Sequence, residues 1–62
     1  MKNRIKILRK ESNITQDELA QKLGIARPTL SNIERGVNIP KGELILKIAS
    51  YFEKPVEQIF FD

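Results

Sequence analysis

The chain has no cysteine and no histidine. Without cysteine there can be no disulfide and no thiolate metal site. Without histidine, the imidazole chemistry of zinc centres, haem ligation and general acid–base catalysis is missing too. No metal and no other cofactor is expected. Apolar residues never approach the run of about 18 that spans a bilayer, and no secretion-signal core is present. No membrane contact is expected, and the cytoplasm is the expected compartment. No linker, repeat or low-complexity tract divides the sequence. Its 62 residues therefore read as one domain, 1–62, near the lower size limit for folding without staples. Convergent carboxylates, nucleophile–base sets and phosphate-cradling glycine loops are all missing, so an enzyme is not expected.

What the chain does have is unevenly placed positive charge. The net charge is +3 and the pI about 9.5, values that suit a polyanionic partner without proving one. Lys2, Arg4, Lys6, Arg9 and Lys10 crowd the first ten residues with no acid among them, and Arg35 and Lys41 add to this further on. Acids gather at Asp17, Glu18, Glu43, Glu53, Glu57 and Asp62.

The segment from Gln16 to Arg35, QDELAQKLGIARPTLSNIER, carries the most information. Thr15 followed by Glu18 makes a capping box, and Ile14 with Leu19 makes a hydrophobic staple. Leu19, Ala20 and Leu23 then form an apolar stripe at helical spacing. Gly24 stands where a chain leaving a helix needs positive φ. A further helix can begin at about Ala26, with Arg27 and Pro28 in its first turn, and Gly36 closes it. The glycine turn followed by apolar Ile25, Leu30 and Ile33 is a helix-turn-helix pattern, which presents its second helix to the DNA major groove.

The flanking segments also read as helices, making the chain all-α with five of them. The first spans about Arg4 to Glu11, with Ile5 and Leu8 inward, and Ser12 and Asn13 break it. Val37 to Pro40 is a loop, because proline disfavours helix in the residue before it. The fourth spans about Lys41 to Phe52, with Ile45, Ile48, Ala49 and Phe52 on one arc. Pro55 opens a short fifth helix carrying Val56, Ile59 and Phe60. No stretch alternates at period two for long enough to be a strand.

A helical wheel divides the second motif helix. Leu30 and Ile33 face inward, Pro28, Ser31, Asn32 and Arg35 point away, and Arg27 and Thr29 lie on the flanks. Such a polar face can donate and accept toward base edges. Glu34 falls beside the apolar arc, where a carboxylate wants a cation. Arg9, at the edge of the first helix's inner stripe, is the expected partner in a partly buried interhelical pair.

From Asn3 to Phe60 the chain resembles the lambda-repressor and Cro (Xre-type) regulators. The matching residues are Leu8-Arg9, Ile14 to Ile25, Ile33 to Gly36, Pro40, Leu46 to Ala49 and Ile59-Phe60. The resemblance implies a compact five-helix domain that binds operator DNA as a dimer. It assigns base reading to Arg27, Pro28, Ser31 and Asn32, and backbone contact to Gln16, Thr29, Arg35, Asn38 and Lys41. It also matches Arg9 and Glu34 to an interhelical ion pair. Three positions depart from the pattern. Ala26 stands where a capping serine or threonine is usual, Pro28 replaces a polar reader, and Gly42 replaces a larger apolar residue.

The expected function is therefore a sequence-specific regulator of double-stranded DNA, a repressor working as a homodimer on a palindromic operator. Ile7, Leu44, Tyr51 and Phe61 are left over from the apolar stripes and form the candidate dimer surface. The length leaves no room beside this domain for a ligand sensor, so no small-molecule ligand is expected. Two other readings fit less well. An antitoxin of a toxin–antitoxin pair would carry an added binding segment. A helical protein-interaction module would show acidic or apolar residues where Arg27, Ser31, Asn32 and Arg35 stand.

Overall fold

The computed structural model describes residues 1–61 in the order β1 (Lys2–Asn3), α1 (Ile5–Glu11), α2 (Gln16–Leu23), α3 (Arg27–Glu34), α4 (Gly42–Phe52), α5 (Val56–Ile59) and β2 (Phe60–Phe61). The five expected helices are present. One core gathers from all of them: Ile5 and Leu8, Leu19, Ala20 and Leu23, Leu30 and Ile33, Ile48, and Ile59 with the adjoining Phe60. Ile14, Ile25, Leu44, Ile45, Ala49, Phe52 and Val56 pack around it, half-buried. Among the described residues, no helix is long and apolar enough to cross a membrane.

The helix ends follow from local chemistry. In α2 the Thr15 hydroxyl accepts the Glu18 amide at 3.1 Å while the Glu18 carboxylate accepts the Thr15 amide at 3.0 Å. Two of the orphan donors at the helix start are thereby satisfied. At the other end Gly24 adopts φ 72°, and the amides of Gly24 and Ile25 return to Gln21 and Ala20. Asn13 ends α1 the same way with φ 56°, a conformation its short polar side chain tolerates. Glu53 does so after α4 with φ 54°, without that excuse.

The Glu18 carboxyl is held below the ordinary carboxylate range, first by the Thr15 amide, then by the Thr15 hydroxyl and the nearby Lys22. A depressed folded-state pKa gives stability that is present above the ordinary range and lost as pH falls through the folded value. Glu18→Gln is therefore expected to flatten the fall in melting temperature between pH 7 and about pH 3, converging with the parent protein at the acid end. Circular-dichroism melts across that range check it. Parallel curves for the two proteins would show that Glu18 carries none of the acid sensitivity.

Two corrections to the expected elements emerge. Lys2–Asn3 pairs antiparallel with Phe60–Phe61, in the register Lys2 opposite Phe61 and Asn3 opposite Phe60. Strands of two residues are too short to leave an alternating signature, and Phe60 belongs to this ladder instead of to the last helix. The starts at Arg4, Ala26 and Lys41 each lie one residue early. Each of those residues only lends its carbonyl to the first helical bond, accepting from Leu8, Leu30 and Ile45 respectively.

The β ladder brings the chain's first residues against α3. Asn3 donates its amide to the Ile33 carbonyl at 2.8 Å and accepts the Ile5 amide at 3.1 Å, so it both caps α1 and holds the end of α3. Gly36, at φ 77°, leaves the Met1 carbonyl only 3.1 Å from where a Cβ would sit. A side chain there meets both backbone strain and a backbone clash.

Candidate nucleic-acid interface

The placement of α3 rests on a small polar network. Arg9 donates through Nε to Glu34 Oε2 at 2.9 Å and through Nη2 to Oε1 at 3.3 Å. Its Nη1 reaches the Ile14 carbonyl at 3.1 Å. Gln16, the first residue of α2, donates its amide to the same Glu34 Oε1 at 3.0 Å. One carboxylate thus ties α1, α2 and α3 together, with the Arg9 side chain 11% and the Glu34 side chain 3% exposed. Among the described residues no buried polar side-chain atom lacks a partner. The ion pair expected from the wheel is present; the Gln16 arm of the network is an addition to it.

From this anchored helix the polar residues project as follows. Arg27 and Pro28, at the first two positions of α3, are exposed. Pro28 lacks an N–H where a helix start has no use for one, and Ala26 indeed contributes no side-chain cap. Thr29, Ser31 and Asn32 are half-buried, Arg35 is exposed, and Asn38 and Lys41 are exposed beyond the helix. The partial cover over Asn32 has a visible cause. The amides of Val37 and Asn38 both donate to the Asn32 carbonyl, at 2.9 and 3.2 Å, folding the loop back on the helix. Asn38 is thereby brought beside Asn32.

The expected contact residues fall into separate neighbourhoods. Gln16 and Arg27 line one open groove of about 680 Å³, together with Arg9, Lys10, Asn13, Ile14, Thr15 and Asp17. Arg35 lines another of about 400 Å³ with Met1, Lys2 and Phe61. Lys41 faces the turn between the motif helices, sharing a third groove with Gly24, Ile25, Glu43 and Lys47. Gln16 has committed one N–H to Glu34, which leaves its second N–H and its carbonyl oxygen for an outside partner.

The sequence matches the helix-turn-helix family model over residues 5–59. The chain belongs to this helix-turn-helix family. An uncharacterised helix-turn-helix transcriptional regulator of Methanocaldococcus jannaschii is 45% identical over 60 residues, covering 97% of this chain and 91% of that protein. A counterpart in Bacillus subtilis, YgzD, also an uncharacterised helix-turn-helix transcriptional regulator, is 36% identical over 61 residues, covering 98% and 92%. The cryptic phage CTXphi transcriptional repressor RstR of Vibrio cholerae is 30% identical over 60 residues, which is 97% of this chain and 54% of the repressor. The lambda-repressor-like architecture read from the sequence agrees with this membership and with the five helices observed.

In this helix-turn-helix protein the four apolar residues left over from the stripes divide. Leu44 packs against the core, and Phe61 is half-buried in the ladder with the Arg4 guanidinium 4.9 Å over its ring. Ile7 is 56% exposed, and Tyr51 is 37% exposed with its ring edge-on to Phe52. Three more apolar side chains stand out that the sequence reading did not select: Val37, Ile39 and Leu46, each more than 60% exposed. For Leu46 the signal was available, since it lies about 160° around the wheel from Ile48. Val37 and Ile39 occupy a loop, where periodicity says nothing.

Proposed function

We propose that this protein is a sequence-specific transcription regulator, a repressor that binds a palindromic operator as a homodimer and works without a small-molecule ligand in the cytoplasm. The observation that carries the reading is an α3 fixed at its inner side by the Arg9–Glu34–Gln16 network while Arg27, Pro28, Ser31 and Asn32 remain on its outer side. A helix so held can lie in the major groove with its polar side against base edges. Pro28 offers apolar contact, as to a thymine methyl, and Arg27 and Asn32 offer hydrogen bonds. Gln16, Thr29, Arg35, Asn38 and Lys41 are assigned to the DNA backbone, where they supply affinity and salt dependence.

Size supports the dimer. The longest extent of the domain is 25 Å, whereas successive major-groove faces on one side of the duplex lie about 34–36 Å apart. One copy reaches one half-site, so two are needed for an operator. The exposed Ile7 and Tyr51, with Val37, Ile39 and Leu46, are the apolar surface available to join them. Selection of bound sequences from a random duplex pool tests the reading. The expected product is a palindrome of two half-sites about one helical turn apart. Enrichment of no motif would remove sequence specificity, and a solitary unrepeated half-site would remove the dimer.

A further inference from the structure

We propose that the groove between the end of α1 and the start of α2 seats one phosphate of the DNA backbone, and that Lys10 is a phosphate-binding residue of this protein. The inference rests on the DNA-binding reading above and extends its footprint to a helix outside the motif. The groove is lined by three cations, Arg9, Lys10 and Arg27. Arg9 is spent: all three of its guanidinium nitrogens are engaged by Glu34 and the Ile14 carbonyl. Lys10 and Arg27 are exposed and form no ion pair among the described residues.

These two cations come from separate elements, Lys10 from the last turn of α1 and Arg27 from the first turn of α3. Gln16 lines the same groove, its orientation set by the bond to Glu34 and its second N–H unspent. A phosphate oxygen accepts from the Lys10 ammonium and the Gln16 amide alike, and the charge-assisted bond to the ammonium is the stronger; Arg27, whose donors are assigned to a base edge, adds its charge to the groove. Among the described residues Asp17 is the one carboxylate on the lining, and two free cations against it leave a positive charge in the groove. At about 680 Å³ and broadly open, the space encloses no small molecule but admits a group carried on a strand. A phosphate held beside Arg27 also fixes the register of the base-reading end of α3.

The test is fluorescence anisotropy of the full chain, titrated onto its selected duplex and onto random duplex between 50 and 200 mM salt. Lys10→Gln is expected to weaken both duplexes alike and to lower the slope of log affinity against log salt by about 1.8, about 0.9 for each of the two copies in the dimer. Its deficit relative to the parent should therefore shrink about twelvefold across that salt range. Lys10→Arg should restore the slope, Asp17→Asn should tighten binding, and Lys54→Gln, outside the groove, should change neither quantity. Melting curves of each variant verify folding, which an exposed lysine does not govern.

If the parent protein binds duplex while Lys10→Gln keeps its affinity and slope, the groove assignment is wrong and DNA binding stands. A deficit confined to the selected duplex would likewise overturn a phosphate role. If the parent binds no duplex at all, the DNA-binding reading fails and takes the groove with it. Inorganic phosphate alone is expected to give no saturable shift in the amide resonances around Lys10. Saturable binding there would assign the groove to a free anion instead.

Discussion

Arg9→Ala is expected to lower the melting temperature by roughly 12–24 °C. The Glu34 side chain is 3% exposed and depends on Arg9 for two of its three hydrogen bonds. Taking the guanidinium away leaves a buried carboxylate with one amide donor. Breaking a buried pair from one side costs about 3–5 kcal/mol. A chain of 62 residues has only about 3–9 kcal/mol of stability in total. Each kcal/mol moves the transition of a domain this small by about 4–8 °C, which gives the range above from the lower figure. The double variant Arg9→Met with Glu34→Met should recover most of the loss, because apolar residues of similar volume remove the orphaned charge along with its partner. Thermal unfolding of the single and double variants checks both statements. An Arg9→Ala protein melting within about 3 °C of the parent would show that the pair does not hold α1 against α3.

The second large effect concerns base discrimination. Asn32→Ala is expected to cost about 1–3 kcal/mol at one base pair of the selected operator and little on random duplex. Its side chain carries no hydrogen bond among the described residues, since only its backbone carbonyl is used to turn the loop. The amide is therefore free to address a base edge, and its half-buried position limits how far it can swing. Lys41→Ala should behave differently, weakening specific and random duplex by similar factors and reducing the salt slope by about 1.8, about 0.9 for each copy in the dimer. Competition binding against single-base operator variants separates the two behaviours. Equal losses on specific and random DNA for both variants would mean the contacts are sorted wrongly between bases and backbone.

The parts of this arrangement that could be read from the sequence are those set by neighbours in the chain. The capping box at Thr15 and Glu18, the left-handed Gly24 and the apolar stripes all depend on residues a turn or less apart. The Arg9–Glu34 pair crosses 25 positions, yet the wheel located it because each residue sits at the edge of an apolar arc. Contacts without such a mark stayed hidden. The Gln16 bond to Glu34 depends on the crossing of α2 and α3, and the pairing of Lys2–Asn3 with Phe60–Phe61 joins the two ends of the chain. Glu53 adopts a left-handed conformation that its side chain does not announce, imposed by the turn from α4 into α5. The half-burial of Asn32 follows from where the loop amides return. The base-reading and backbone assignments rest on surface residues whose fit is judged only by a partner.

The central claim is that the outer side of α3 and the residues beside it form the surface that meets DNA. Titration of a short operator duplex into isotope-labelled protein, followed through backbone amide resonances, tests it most directly. Shifts should concentrate at Gln16, Arg27, Thr29 to Asn32, Arg35, Asn38 and Lys41, while Glu53, Lys54 and Val56 to Gln58 stay still at half-saturation. Shifts centred on α4 and α5, with α3 unmoved, would contradict the account.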